Sequence, residues 1–105
     1  MALVDRLAGI GTGELVSNIS VHTFWAAIYE LSKGQVTQQQ IINYFDLDAG
    51  EQTELNWLVT KYAGLPTDAK KAEFVELMHV LFLLASSNVP GYSTNAELVA
   101  RINAI

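Results

Sequence analysis

The side chains best suited to metal binding or to base and nucleophile chemistry near neutral pH are imidazole and thiolate. The chain holds two histidines, His22 and His79, and no cysteine. The histidines lie far apart, and neither has a second ligand or base at metal-binding or triad spacing. No Gly-x-Ser-x-Gly elbow or carboxylate pair supplies the rest of a nucleophilic or acid–base apparatus. His79 flanks the most apolar stretch and is expected to be a hydrogen-bonded packing residue; His22 follows a cap position and shares a helix side with Tyr29. A non-enzymatic protein with no metal and no cofactor is the expectation.

Three further patterns resemble functional motifs and are better explained otherwise. Gly9-Ile10-Gly11-Thr12-Gly13 would let backbone amides approach a phosphate, but a dinucleotide fingerprint needs a strand before it and a helix after it at set offsets. Neither is apparent, so a hinge or arm is expected. Asp46-Leu47-Asp48-Ala49-Gly50-Glu51 begins like a calcium loop, yet the third ligand position is Gly50 and the twelfth is Trp57 rather than a bidentate glutamate. Asp48 as a helix cap accounts for the same residues. The helices expected over 38–46 and 49–62 form a helix-turn-helix candidate, but the second exposes Glu51, Glu54, Asn56 and Thr60 with Lys61 as its only basic residue. A DNA-reading helix brings basic and amide groups instead, so an ordinary helical hairpin is expected.

These residues sit on elements that hydrophobic periodicity and capping signals delimit. Leu3, Val4, Leu7 and Ile10 follow near-helical spacing before the glycines break it, predicting a short helix and then a flexible segment. That segment carries Leu15, Val16 and Ile19, and residues 1–19 are expected to be either an arm reaching a neighbouring subunit or a short helix plus a flexible segment, outside the domain. Ser20 caps a helix over 21–33 with Val21, Phe24, Trp25, Ile28 and Leu31 on one face, closed by Gly34 in a left-handed conformation. Thr37 with Gln40, Asp48 with Glu51 and Thr94 with Glu97 are capping-box pairs, and Val36 with Ile41 stands where a hydrophobic staple belongs. Gly64 and Pro66 stop the helix carrying Leu55, Leu58 and Tyr62. Thr67 or Asp68 then starts the longest helix, whose inner stripe is expected to be Phe74, Leu77, Met78, Leu81, Leu84 and Ala85. Leu98, Ile102 and Ile105 form the inner face of the last helix. With no strand-like alternation and no repeat, residues 20–105 are expected to form a single all-α domain. The fold class is a compact bundle of five or six short helices with a glycine-spaced N-terminal arm.

Composition bounds the function classes. Half of the 105 residues are apolar and only 16% are charged, against roughly 25% charged in ordinary soluble proteins. Contiguous apolar surface usually marks an interface, so assembly with copies of the chain or with a partner is expected. The surplus falls at Leu15, Val16 and Ile19, at Val80 and Leu83, and at Trp57, which lies well over 100° (about one-third of a turn) from the stripe of its own helix. These six are the candidate interface residues. A net charge of −5 with only six Lys and Arg argues against a phosphate-binding surface. From Gly34 to Thr60 there is no basic residue at all, so an acidic face is expected. The amino end lacks a secretory signal pattern, and the stretch from Phe74 to Ala85 is shorter than the about 20 residues a bilayer needs. Neither a nucleic acid nor a membrane is an expected partner.

The segments 34–42 (Gly-Gln-Val-Thr-Gln-Gln-Gln-Ile-Ile), 48–55 (Asp-Ala-Gly-Glu-Gln-Thr-Glu-Leu) and 88–94 (Asn-Val-Pro-Gly-Tyr-Ser-Thr) resemble small helical proteins encoded among the structural genes of tailed bacteriophages. The resemblance covers most of residues 20–105 and carries over no functional residue. It implies a virion component, such as a tail, fibre-adaptor, neck or capsid-associated subunit, made in the host cytoplasm and present in symmetric copies. The partner would then be a homo-oligomer or a larger virion protein. The alternatives are an intracellular interaction module or regulator with an acidic surface and, after it, a helix-turn-helix protein.

Overall fold

Most helix boundaries are set by groups only a few residues away. In the computed structural model, which describes residues 2–10 and 21–105, the helices are α1 Ala2–Ala8, α2 Val21–Ser32, α3 Gln38–Phe45, α4 Ala49–Ala63, α5 Asp68–Ser86 and α6 Asn95–Asn103. Full capping boxes open α3 at Thr37 and α4 at Asp48. Thr67 and Thr94 accept the backbone N–H three residues on, from Lys70 and Glu97, to open α5 and α6. Each such cap satisfies donors that the helix leaves orphaned at its amino end.

Three helices stop by the same device. A left-handed residue turns the chain so that the next backbone N–H bonds back to the carbonyl five residues earlier. Gly34 does this for α2, with Gln35 N–H on Glu30 O at 3.0 Å; Asp46 does it for α3, with Leu47 N–H on Ile42 O at 3.0 Å; Asn88 does it for α5, with Val89 N–H on Leu84 O at 3.1 Å. Asp and Asn tolerate this conformation better than other side-chain-bearing residues, which is why two of the three turns manage without glycine.

The core is chemically divided. An aromatic group holds α2 to its neighbours: Trp25 meets Phe74 of α5 edge-on at 5.5 Å and Tyr62 of α4 at 6.3 Å, while Phe24 meets Phe45 of α3 at 6.0 Å. Such pairs contribute about 0.5–1.5 kcal/mol beyond area burial. Leu55, Leu58, Met78, Phe82, Leu98 and Ile102, all fully buried, fill the region where α1 lies against α4, α5 and α6.

The position of α1 departs from expectation. Residues 1–19 are expected as an arm, or as a short helix plus a flexible segment, outside the domain; the short helix is present as α1, but Leu3, Val4, Leu7 and Ala8 are completely buried and belong to the core. A helix of seven residues is marginal by itself, and here distant side chains hold it. The Glu54 carboxylate accepts the backbone N–H groups of Leu3 at 2.8 Å and Val4 at 3.1 Å. It thereby serves as an amino-terminal cap delivered from α4 and lies at the positive end of the helix dipole. Arg6 Nη1 donates to both carboxylate oxygens of Glu51, at 2.9 and 2.8 Å, and Asn95 Nδ2 donates to Asp5 at 3.0 Å.

Candidate functional site

A residue on α5 turns about 100° from the one before it, and this 19-residue helix divides into three faces. Phe74, Met78, Leu81, Phe82 and Ala85 point into the core. Lys71, Val75 and His79 border a groove against α2. The remaining arc carries Leu77, Val80 and Leu83, which are 40%, 52% and 54% exposed and follow one another at three-residue spacing. They form one apolar strip about 9 Å long, with the exposed Glu73 and Glu76 toward its amino end and the half-buried Leu84 beside it.

Two of the six candidate interface residues, Val80 and Leu83, therefore lie together on this strip. Leu77, expected on the inner stripe, joins them, while Phe82 turns inward and is fully buried. The shift follows from coverage by more than one neighbour: α1 and α6 pack against α5, and the aromatic group of α2 meets it at Phe74. A single 3.6-residue stripe describes a helix covered on one side only. Trp57 lies apart from the strip. It is half-buried against the core and donates its indole N–H to Asn103 Oδ1 at 3.2 Å, joining α4 to the end of α6. Leu15, Val16 and Ile19 lie outside the described residues.

The acidic face is smaller than charge counting predicts. Glu51 and Glu54 are not exposed on the second helix of the hairpin; they are 3% and 5% exposed and turn toward α1. Their sequence neighbourhood contains no basic residue, and the group that neutralises Glu51 is Arg6, 45 positions away.

The histidine expectation also changes. Both imidazoles border the α2–α5 groove, which sequence separation gave no reason to expect. His79 Nε2 is buried and has no hydrogen-bond partner among the described residues, in contrast to the satisfied packing residue expected. Trp25, which lines the same groove, likewise has its buried Nε1 without a hydrogen-bond partner among the described residues. Tyr62 forms part of the wall, and burial pushes its phenol above the ordinary value of 10.0 and so keeps it neutral. Among the described residues no group of three or more His, Asp or Glu could hold a metal ion, and no helix is long and apolar enough to cross a membrane.

Among the described residues, fold and surface together define an all-α bundle of six short helices with an exposed apolar strip on the longest of them. Compared with known proteins, the chain matches no family model, no curated protein and no solved structure.

Proposed function

We propose that the chain is a non-enzymatic structural or adaptor subunit that assembles with copies of itself through the outer face of α5. The observation that carries this reading is the Leu77, Val80 and Leu83 strip, three adjacent large apolar side chains each two-fifths or more exposed. Scattered exposed leucines are ordinary on a monomer, whereas a contiguous group with a polar border is typical of an interface.

Charge placement favours an antiparallel, two-fold pair. If two copies of α5 cross at Val80, Leu77 of each meets Leu83 of the other, and Glu73 of each meets Ser87. The acids stay apart, while a parallel pair would set them against their own copies. The resemblance of three segments to phage structural-region proteins supports placing such an assembly in a tailed-phage virion, where the strip would engage copies of the chain or a larger virion protein. The acidic-surface alternative draws less support, because Glu51 and Glu54 are turned inward.

Light scattering on the purified chain tests the reading. A mass above that of one chain is expected, with return to a single-chain mass in Val80→Glu/Leu83→Glu and no loss of melting temperature. A wild-type chain that stays single at high concentration overturns self-assembly. Mass spectrometry of purified particles tests the virion placement separately; absence of the chain from them would overturn it.

A further inference from the structure

The groove between α2 and α5 is independent of the α5 strip and has a volume of about 290 Å3. This is near the lower end of the about 300–1,000 Å3 usual for small-molecule sites, enough for a single ring with a short side chain. Trp25, Tyr29 and Tyr62 supply aromatic wall, and edge-on contacts with Phe24 at 5.2 Å and Phe74 at 5.5 Å hold the Trp25 ring plane.

Aromatic walls alone would suit a cation, but the chain's own lysines already take that role. Lys33 Nζ lies 5.3 Å from the Tyr29 ring centroid and Lys71 Nζ 5.5 Å from that of Tyr62. Asp68, the carboxylate that borders the groove, has Lys33 Nζ at 3.8 Å. What is left unmatched is nitrogen. Trp25 Nε1, which can only donate, and His79 Nε2 are both buried without a partner among the described residues. A buried donor left unpaired is destabilising, and an incoming acceptor would recover that loss. His22 and Lys71 stand on the same groove and add positive or protonatable groups there in a chain of net charge −5.

We propose that this groove binds a small aromatic carboxylate, its ring among Trp25, Tyr29 and Tyr62 and its carboxylate drawn to Trp25 Nε1, His79 and Lys71. Neither ring nitrogen is open to water in the unliganded chain, so binding turns a lining side chain aside. The half-exposed Tyr29 has the freedom to move, and such rotamer changes are common on binding.

Titrating the 15N-labelled full chain with phenylacetate tests this. The chain has two tryptophans, hence two indole N–H resonances, and Trp57, bonded to Asn103 and not part of the groove wall, serves as the internal reference. Phenylacetate is expected to move the Trp25 resonance to saturation and leave that of Trp57 in place. Phenethylamine, with the same ring and a cation, and acetate, with no ring, are expected to bind at least about tenfold more weakly. Lys71→Met and His79→Phe should each weaken phenylacetate about tenfold, with an unchanged Trp57 resonance reporting an intact fold. The proposal is overturned if phenylacetate leaves Trp25 unmoved up to about 10 mM, if both indoles move together, if the amine binds as tightly as the acid, or if neither substitution weakens binding.

Discussion

The shortest and the longest helices of this bundle use apolar residues in opposite ways. α1, seven residues long, buries Leu3, Val4, Leu7 and Ala8 completely; α5, nineteen residues long, leaves Leu77, Val80 and Leu83 open. Hydrophobicity does not separate them, since both helices are rich in Leu and Val. They differ in polar anchorage. α1 receives Glu54 on its first amides, Glu51 on Arg6 and Asn95 on Asp5, all from distant parts of the chain. Among the described residues, the apolar strip of α5 has no comparable polar ties drawing another helix over it. A short helix is held where long-range hydrogen bonds satisfy its ends, and a long one can leave a face free.

Substitutions on the two helices should break this contrast to different extents. The largest effect is expected from Leu7→Ala, which opens a cavity at a fully buried site and should cost about 2–5 kcal/mol in urea unfolding. An arm lying outside the core would lose almost nothing. Glu54→Ala leaves two buried backbone donors of α1 without their acceptor and should cost about 3 kcal/mol. Amide exchange at Leu3 and Val4 should rise before exchange in α4 does.

Arg6→Met keeps much of the side-chain volume but removes the partner of the buried Glu51, with an expected loss of about 1–3 kcal/mol. Adding Glu51→Gln should then destabilise the Arg6→Met chain by less than it destabilises wild type. Equal effects in both backgrounds would show that the pair is uncoupled. At the small end stands Leu83→Ala: the folding free energy should stay within about 0.5 kcal/mol of wild type, while self-association measured by light scattering weakens. A large loss of stability with unchanged mass would make Leu83 a packing residue and remove the strip's role.

The legible and illegible parts of the candidate surfaces divide by distance along the chain. Val80 and Leu83 were readable as surplus because they fall off the stripe of their own helix. Leu77 was not, since the core-facing arc of α5 includes Phe82 and leaves Leu77 out where several helices pack on it. Trp57 was readable as unusual, but its hydrogen bond to Asn103 depends on where α6 ends beside α4. The common groove of His22 and His79 had no local signal, because nothing near either residue specifies that α2 and α5 lie side by side.

The sequence by itself determined where α3 to α6 begin and where α2, α3 and α5 end. Thr37, Asp48, Thr67 and Thr94 act on the N–H three residues on, and Gly34, Asp46 and Asn88 close bonds spanning five residues, so each decision is settled within about one and a half turns. Only the tertiary structure decided which faces those helices bury. Glu51 and Glu54 read as solvent-facing charges until α1 brings Arg6 and the amides of Leu3 and Val4 to them across 45 to 51 positions. Burial of a charged or apolar group depends on what arrives from elsewhere in the chain, and local spacing carries no record of it.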